Sequence, residues 1–131
     1  MKTYKTLIKS YTENFWNKRQ LNEAEKVFHE QAVVHTTFGK FIGPSYMKAT
    51  AQAWIKAFPD LSMQLNEMIE EGDRLATTWT AKGTHKDGFK GIEASNRPVT
   101  SHGVTIFRFQ GDKVIEYWIY TDIHDVLNQI S

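Results

Sequence analysis

Asp122 follows directly on an aromatic run, Tyr117-Trp118-Ile119-Tyr120-Thr121. A carboxylate that such a strand delivers into an apolar cavity is desolvated, and burial raises its pKa and fits it for moving protons. The matching chemistry is removal of a proton from a carbon beside a carbonyl, with a donor nearby to hold the enolate oxygen. Asp122 also precedes a short helix, and capping a helix is a common task for aspartate. The sequence leaves both roles open.

Two histidines are candidates to assist. His35 lies mid-strand in Val33-Val34-His35-Thr36-Thr37, where it can point inward as donor or relay, or rest half-buried against a threonine. His102 depends on register. A strict two-residue Gly111-Asp112 loop pairs Gln110 with Lys113 and puts His102 and Asp122 on opposite faces. A longer loop, or a bulge at Gly103, returns them to one face, and that is the arrangement expected here. His85, in Gly83-Thr84-His85-Lys86-Asp87-Gly88, is expected at a cavity rim or simply solvated in its loop, and His29 and His124 on the surface. The chain has no H-x-H, no H-E-x-x-H, no G-x-S-x-G and no glycine-rich phosphate loop, so a metal site or a serine nucleophile is not expected.

Aromatic residues make up 13% of the 131 residues, four of them Trp, which exceeds what filling a small core requires. Tyr11, Trp16, Phe38, Trp54, Phe58, Trp79, Phe89 and Trp118 are therefore candidates to line a pocket for a flat apolar ligand, with core packing the competing use. The segment Gly88 to Asn96 reads as a flap, with Phe89 and Ile92 able to cap a ligand.

Positioning these residues requires one domain, 1–131, with enough apolar content to bury a core. A net charge of +1 with no basic run argues against nucleic acid or a membrane surface as partner. The absence of cysteine removes disulfides and thiolate chemistry. With no signal-like or membrane-spanning run, a soluble cytoplasmic protein is the expectation.

Tyr4, Leu7, Ile8, Tyr11, Phe15 and Trp16 fall at helical spacing. Asn22 with Glu25 resembles a capping box opening a short helix through Phe28. Ala32 to Thr37 reads as a strand, and Gly43-Pro44 opens a third helix that ends at Pro59. Strands are expected over Ser62 to Glu70, Leu75 to Thr84, Val99 to Phe109 and Val114 to Thr121, with a closing helix from Asp122 to Ile130. Helices first and strands after predict an α+β fold, an antiparallel sheet packed on segregated helices. Val104 to Phe109 is apolar on both faces, so a homodimer through the sheet is expected to cover the second one.

The order of elements resembles the nuclear transport factor 2-like superfamily, a cone-shaped half-barrel that includes ketosteroid isomerases and scytalone dehydratase. Ala57-Phe58-Pro59-Asp60-Leu61, Gly72-Asp73-Arg74-Leu75, Trp79 to His85, Arg97-Pro98-Val99 and Glu116 to Asp122 look like the SnoaL-like polyketide cyclase (ester cyclase) group within it. The resemblance implies a deep pocket between helices and sheet, and a dimer. It also implies intramolecular aldol ring closure of a hydrophobic carbonyl compound without metal or organic cofactor. The family's acid/base aspartate matches Asp122, and its supporting histidines carry over to His35 and His102. A carrier holding a small ligand in the same cavity, or an interaction module, are the alternatives on this fold.

Overall fold

The computed structural model describes residues 3–131. Helix α1 (Tyr4–Tyr11) starts at Thr3, whose Oγ1 accepts from the Thr6 amide at 3.1 Å. It runs on without a break into π-helical turns at Thr12–Asn17. This wider winding lets Tyr11, Thr12, Phe15 and Trp16 all be buried together. In α2 (Glu23–Val27), Asn22 is not the side-chain cap that the motif suggested. It has helical dihedrals, not the extended ones a capping side chain needs, and its Oδ1 accepts from Lys48 Nζ at 3.0 Å instead.

Strand β1 (Phe28–Thr36) begins four residues before the expected Ala32. Its polar start, His29-Glu30-Gln31, hid an irregular pairing in which the register shifts between Phe28 and Val33. Strand β2 (Gly39–Ile42) was not anticipated at all. Thr36 builds the tight turn into it, accepting from the Phe38 amide and donating to the Gly39 carbonyl, each at 3.0 Å. Helix α3 (Pro44–Ala57) follows Gly43, whose φ of +88° suits glycine. Strands β3 (Ser62–Glu71), β4 (Arg74–Thr84), β5 (Pro98–Gln110) and β6 (Lys113–Thr121) match the predicted runs within a residue or so at each end, and α4 (Ile123–Ile130) closes the chain.

The six strands form one sheet in the order β2-β1-β6-β5-β4-β3. The α+β class holds, but the sheet is mixed, not purely antiparallel, because β1 runs parallel to β6. The chain leaves β1 early and returns beside it only after β2, α3 and three further strands. Alternation along β4, β5 and β6 sends Leu75, Thr77, Trp79 and Ala81, then Ser101, Thr105 and Phe107, then Tyr117 to the helix side. Helix α4 is tied to β5 by Gln129, which accepts from the Thr100 amide and donates to its carbonyl, each at 2.9 Å. Among the described residues no helix is long and apolar enough to cross a membrane.

Candidate ligand-binding hollow

Between the sheet's inner face and the helices lies a hollow of three lobes. One, of about 60 Å³, is bounded by Val34, Phe38, Met47, Trp54, Tyr117 and Thr121 among others. A second, of about 30 Å³, runs between Tyr11, Thr77, Trp79, Thr105 and Tyr117. The third, of about 60 Å³, lies between Trp54, Leu61, Trp79, Ala81 and Ser101. Trp16 and Ile119 border all three, so the lobes lie side by side around these two side chains. A cavity of roughly 150 Å³ accommodates benzene, so an organic ligand here must span lobes.

Gly103 makes the floor possible. It sits opposite Trp79 in the β4–β5 ladder, and a Cβ at this position would come within 2.1 Å of the indole. The ring therefore lies across the glycine, and its Nε1 donates to Thr105 Oγ1 at 2.9 Å. The other polar side-chain groups in the wall are neutral hydroxyls and the indole N–H groups of Trp16 and Trp54. Tyr11 is buried, with its ring stacked on Phe15 at 4.9 Å, and its hydroxyl has no partner. Burial, reinforced by nearby Tyr117, pushes its pKa well above the ordinary phenol value. Tyr117 is likewise raised by burial, against the opposing effect of a hydrogen bond with Thr105. Both phenols therefore stay protonated at neutral pH. Ser101 Oγ is also buried without a partner. No carboxylate or imidazole borders any of the three lobes among the described residues.

The three residues expected to do acid/base work stand elsewhere. Asp122 is exposed, and its Oδ1 accepts from the Asp125 amide at 3.0 Å as the N-cap of α4. The expected desolvation is missing because the strand ends at Thr121 and the chain turns outward to start the helix. Its neighbours Thr121 and Ile123 do border the first lobe. His35 alternates with wall residues Val34 and Thr36 and so faces away from the hollow. There its Nε2 lies 2.7 Å from Glu116 Oε2 and its ring stacks on Trp118 at 5.2 Å. Glu116 Oε1 accepts from Arg108 Nε at 3.1 Å and Nη2 at 2.9 Å. The His35 hydrogen bond, with help from Arg108, holds the Glu116 carboxyl below its usual value.

The His102 question has a mixed answer. The hairpin loop is the strict two-residue one, pairing Gln110 with Lys113, but the register shifts between Arg108 and Phe109. Gly103 then pairs with Thr121, which returns His102 and Asp122 to one side. That side is the outer one. His102 is exposed, with Nδ1 at 3.2 Å from Thr80 Oγ1.

Of the aromatic candidates, Tyr11, Trp16, Phe38, Trp54 and Trp79 border the lobes. Trp118 does not, since it stands on the outer face with His35. Phe58 is core and touches only a minor side cavity. Phe89 is buried against Trp54 and Phe58, with ring centroids 4.6 and 5.5 Å away, and pins the Gly88–Asn96 segment down. His85 is fully buried, not at a rim. Its Nδ1 accepts from the Ser95 amide at 3.1 Å, and its backbone exchanges bonds with Asn96 and Arg97, so it anchors the base of that segment. The sequence reading missed Ser101, Thr105 and Tyr117. Their signal was polarity at inward positions of otherwise apolar strands, legible only once inward and outward were known.

The family described as SnoaL-like polyketide cyclase matches residues 6–130. The chain belongs to that family. Among solved structures, AclR from Streptomyces galilaeus, named as a candidate hydroxylase, is 26% identical with a TM-score of 0.86, over 96% of this chain and 93% of its own. IdmH from Streptomyces antibioticus, named as a candidate polyketide cyclase, is 24% identical with a TM-score of 0.82, over 94% of each chain. TsrD from Streptomyces laurentii is 20% identical with a TM-score of 0.87, over 98% of this chain and 94% of its own. A search of curated proteins finds no match. The SnoaL-like family thus accounts for the order of the elements.

Proposed function

We propose that this SnoaL-like protein encloses a small, uncharged hydrophobic carbonyl compound in the hollow. The observation that carries this reading is the make-up of the wall: aromatic and aliphatic side chains, protonated hydroxyls and, among the described residues, no carboxylate or imidazole. Such a wall favours neutral solutes with an accepting oxygen and penalises charged ones.

Acid/base conversion of that compound, of the aldol type and without a cofactor, is the second reading. It is favoured by one observation, that Asp122 stands between two residues of the first lobe's wall. A ligand extending past Thr121 would meet its carboxylate once the Asp125 amide is released. Asp122→Asn keeps a capping oxygen and removes the base. Calorimetric titration with nonan-2-one is expected to give the same affinity for wild type and Asp122→Asn, with the stoichiometry of one site. Failure of the ketone to bind wild type would overturn the enclosed-ligand reading. A ring-closing activity that survives Asp122→Asn would remove the second.

We also propose that a second copy of the chain covers the outer face of the sheet. Val104 and Tyr120 there are 39% and 59% exposed, beside half-buried Ile106 and Trp118.

A further inference from the structure

The Gly88–Asn96 segment carries a tight turn at its tip. Phe89 and Ile92 exchange two backbone hydrogen bonds, each of 2.9 Å, around Lys90 and Gly91. Both central residues have positive φ, +50° for Lys90 and +82° for Gly91, as a two-residue hairpin turn of the primed type requires. Lysine is an uncommon occupant of that conformation, which glycine, asparagine and aspartate favour. Its Nζ stands 4.0 Å from the ring centre of Phe38, on the turn between β1 and β2, and it has no ion-pair partner among the described residues. Phe38 is 52% exposed and, with exposed Thr37, borders the first lobe, so that lobe meets solvent at this turn. Phe89, one residue before Lys90, lies 4.6 Å from Trp54, a second wall residue of the same lobe. The tip thus backs two wall residues from separate elements without bordering the lobe itself.

Resting on the enclosed-ligand reading, we infer that the Phe89–Ile92 turn is a strap across the first lobe and that the Lys90 ammonium, seated on the Phe38 ring, is its latch. A cation over an aromatic face is held by the ring's quadrupole, and at an exposed site that attraction is weak enough to break and re-form readily. Release frees the Phe38 ring to swing from the wall, and the lobe opens where Thr37 already meets solvent. Phe89 stays buried against Trp54 and Phe58 and keeps the strap's base in place. Lys90 borders none of the three lobes, so the latch sets how fast a ligand passes and leaves its affinity unchanged.

Tryptophan fluorescence reads the opening, since Trp16 and Trp54 border the first lobe. The whole protein is compared with Lys90→Gly, Lys90→Arg, Phe38→Leu and the double variant of Lys90→Gly with Phe38→Leu, by acrylamide quenching and by stopped-flow exchange of nonan-2-one. Lys90→Gly and Phe38→Leu are each expected to raise quenching. Each should also speed both uptake and release by about twofold to fivefold, the size of an exposed cation–π contact, with affinity unchanged. Lys90→Arg should behave as wild type, because it keeps a cation over the ring. The double variant should be no faster than either single one. Quenching in Lys90→Gly equal to that of wild type overturns the inference. Effects that add in the double variant overturn it too, because Lys90 then acts without Phe38. If nonan-2-one does not bind wild type, the enclosed-ligand reading fails, and the acrylamide comparison alone decides the strap.

Discussion

Trp79 depends on a neighbour with no side chain. Its indole crosses Gly103, donates to Thr105 at 2.9 Å and borders two lobes of the hollow. Gly103→Ala puts a methyl group where the ring lies, and a rigid indole held by a hydrogen bond has no easy retreat. The substitution is expected to destabilise the fold by about 1–3 kcal/mol, the usual cost of overpacking, and to weaken ketone binding. Thermal denaturation and titration of the variant check both. An unchanged melting temperature would mean that the ring moves freely. Asp122 shows the limit of reading a residue from its neighbours alone. Its aromatic flank pointed to a buried base, while its place before α4 pointed to a cap, and the backbone turn at Thr121 realises the cap.

At the scale of elements, hydropathy periodicity revealed most helices and strands. It could not reveal β2, a four-residue strand whose existence rests on the Thr36 turn. Nor could it show that β1 runs parallel to β6, since parallel pairing is a property of the returning chain. The shift between Arg108 and Phe109 decides that Asp122 shares the side of His102, and no local residue pattern announced it. The outer-face cluster on β1, β5 and β6 has its own signature. Glu116 is held below its free value of 4.5 by His35 and Arg108, so its contribution is present above that pH and is lost as pH falls through the lower folded value. Asp60, lowered by the Thr84 amide and hydroxyl, adds in the same direction. Melting temperature should therefore drop on acidification below about pH 4.5, and Glu116→Gln should flatten part of that drop. Parallel pH profiles for wild type and variant would contradict the ion-pair account.

For the whole molecule, the two faces of one sheet divide the work. The inner face makes the hollow, and the outer face presents Val104, Ile106, Trp118 and Tyr120 around the Glu116 cluster. If a second copy covers that face, Val104→Arg should give a folded monomer by sedimentation velocity where wild type sediments as a dimer. A wild-type monomer would end the proposal. The α+β architecture and the aromatic lining were legible because they follow from element order and composition. The hydroxyls that give the hollow its chemical character were not, because only the finished sheet sorts inward residues from outward ones. The most direct test is a crystal structure of the protein grown with nonan-2-one. The account predicts the compound inside the hollow, against Trp16 and Ile119, with an oxygen within hydrogen-bonding distance of Tyr11 Oη. Density for it only on the outer face of the sheet or beside Asp122, with the hollow's walls unmoved, would contradict it.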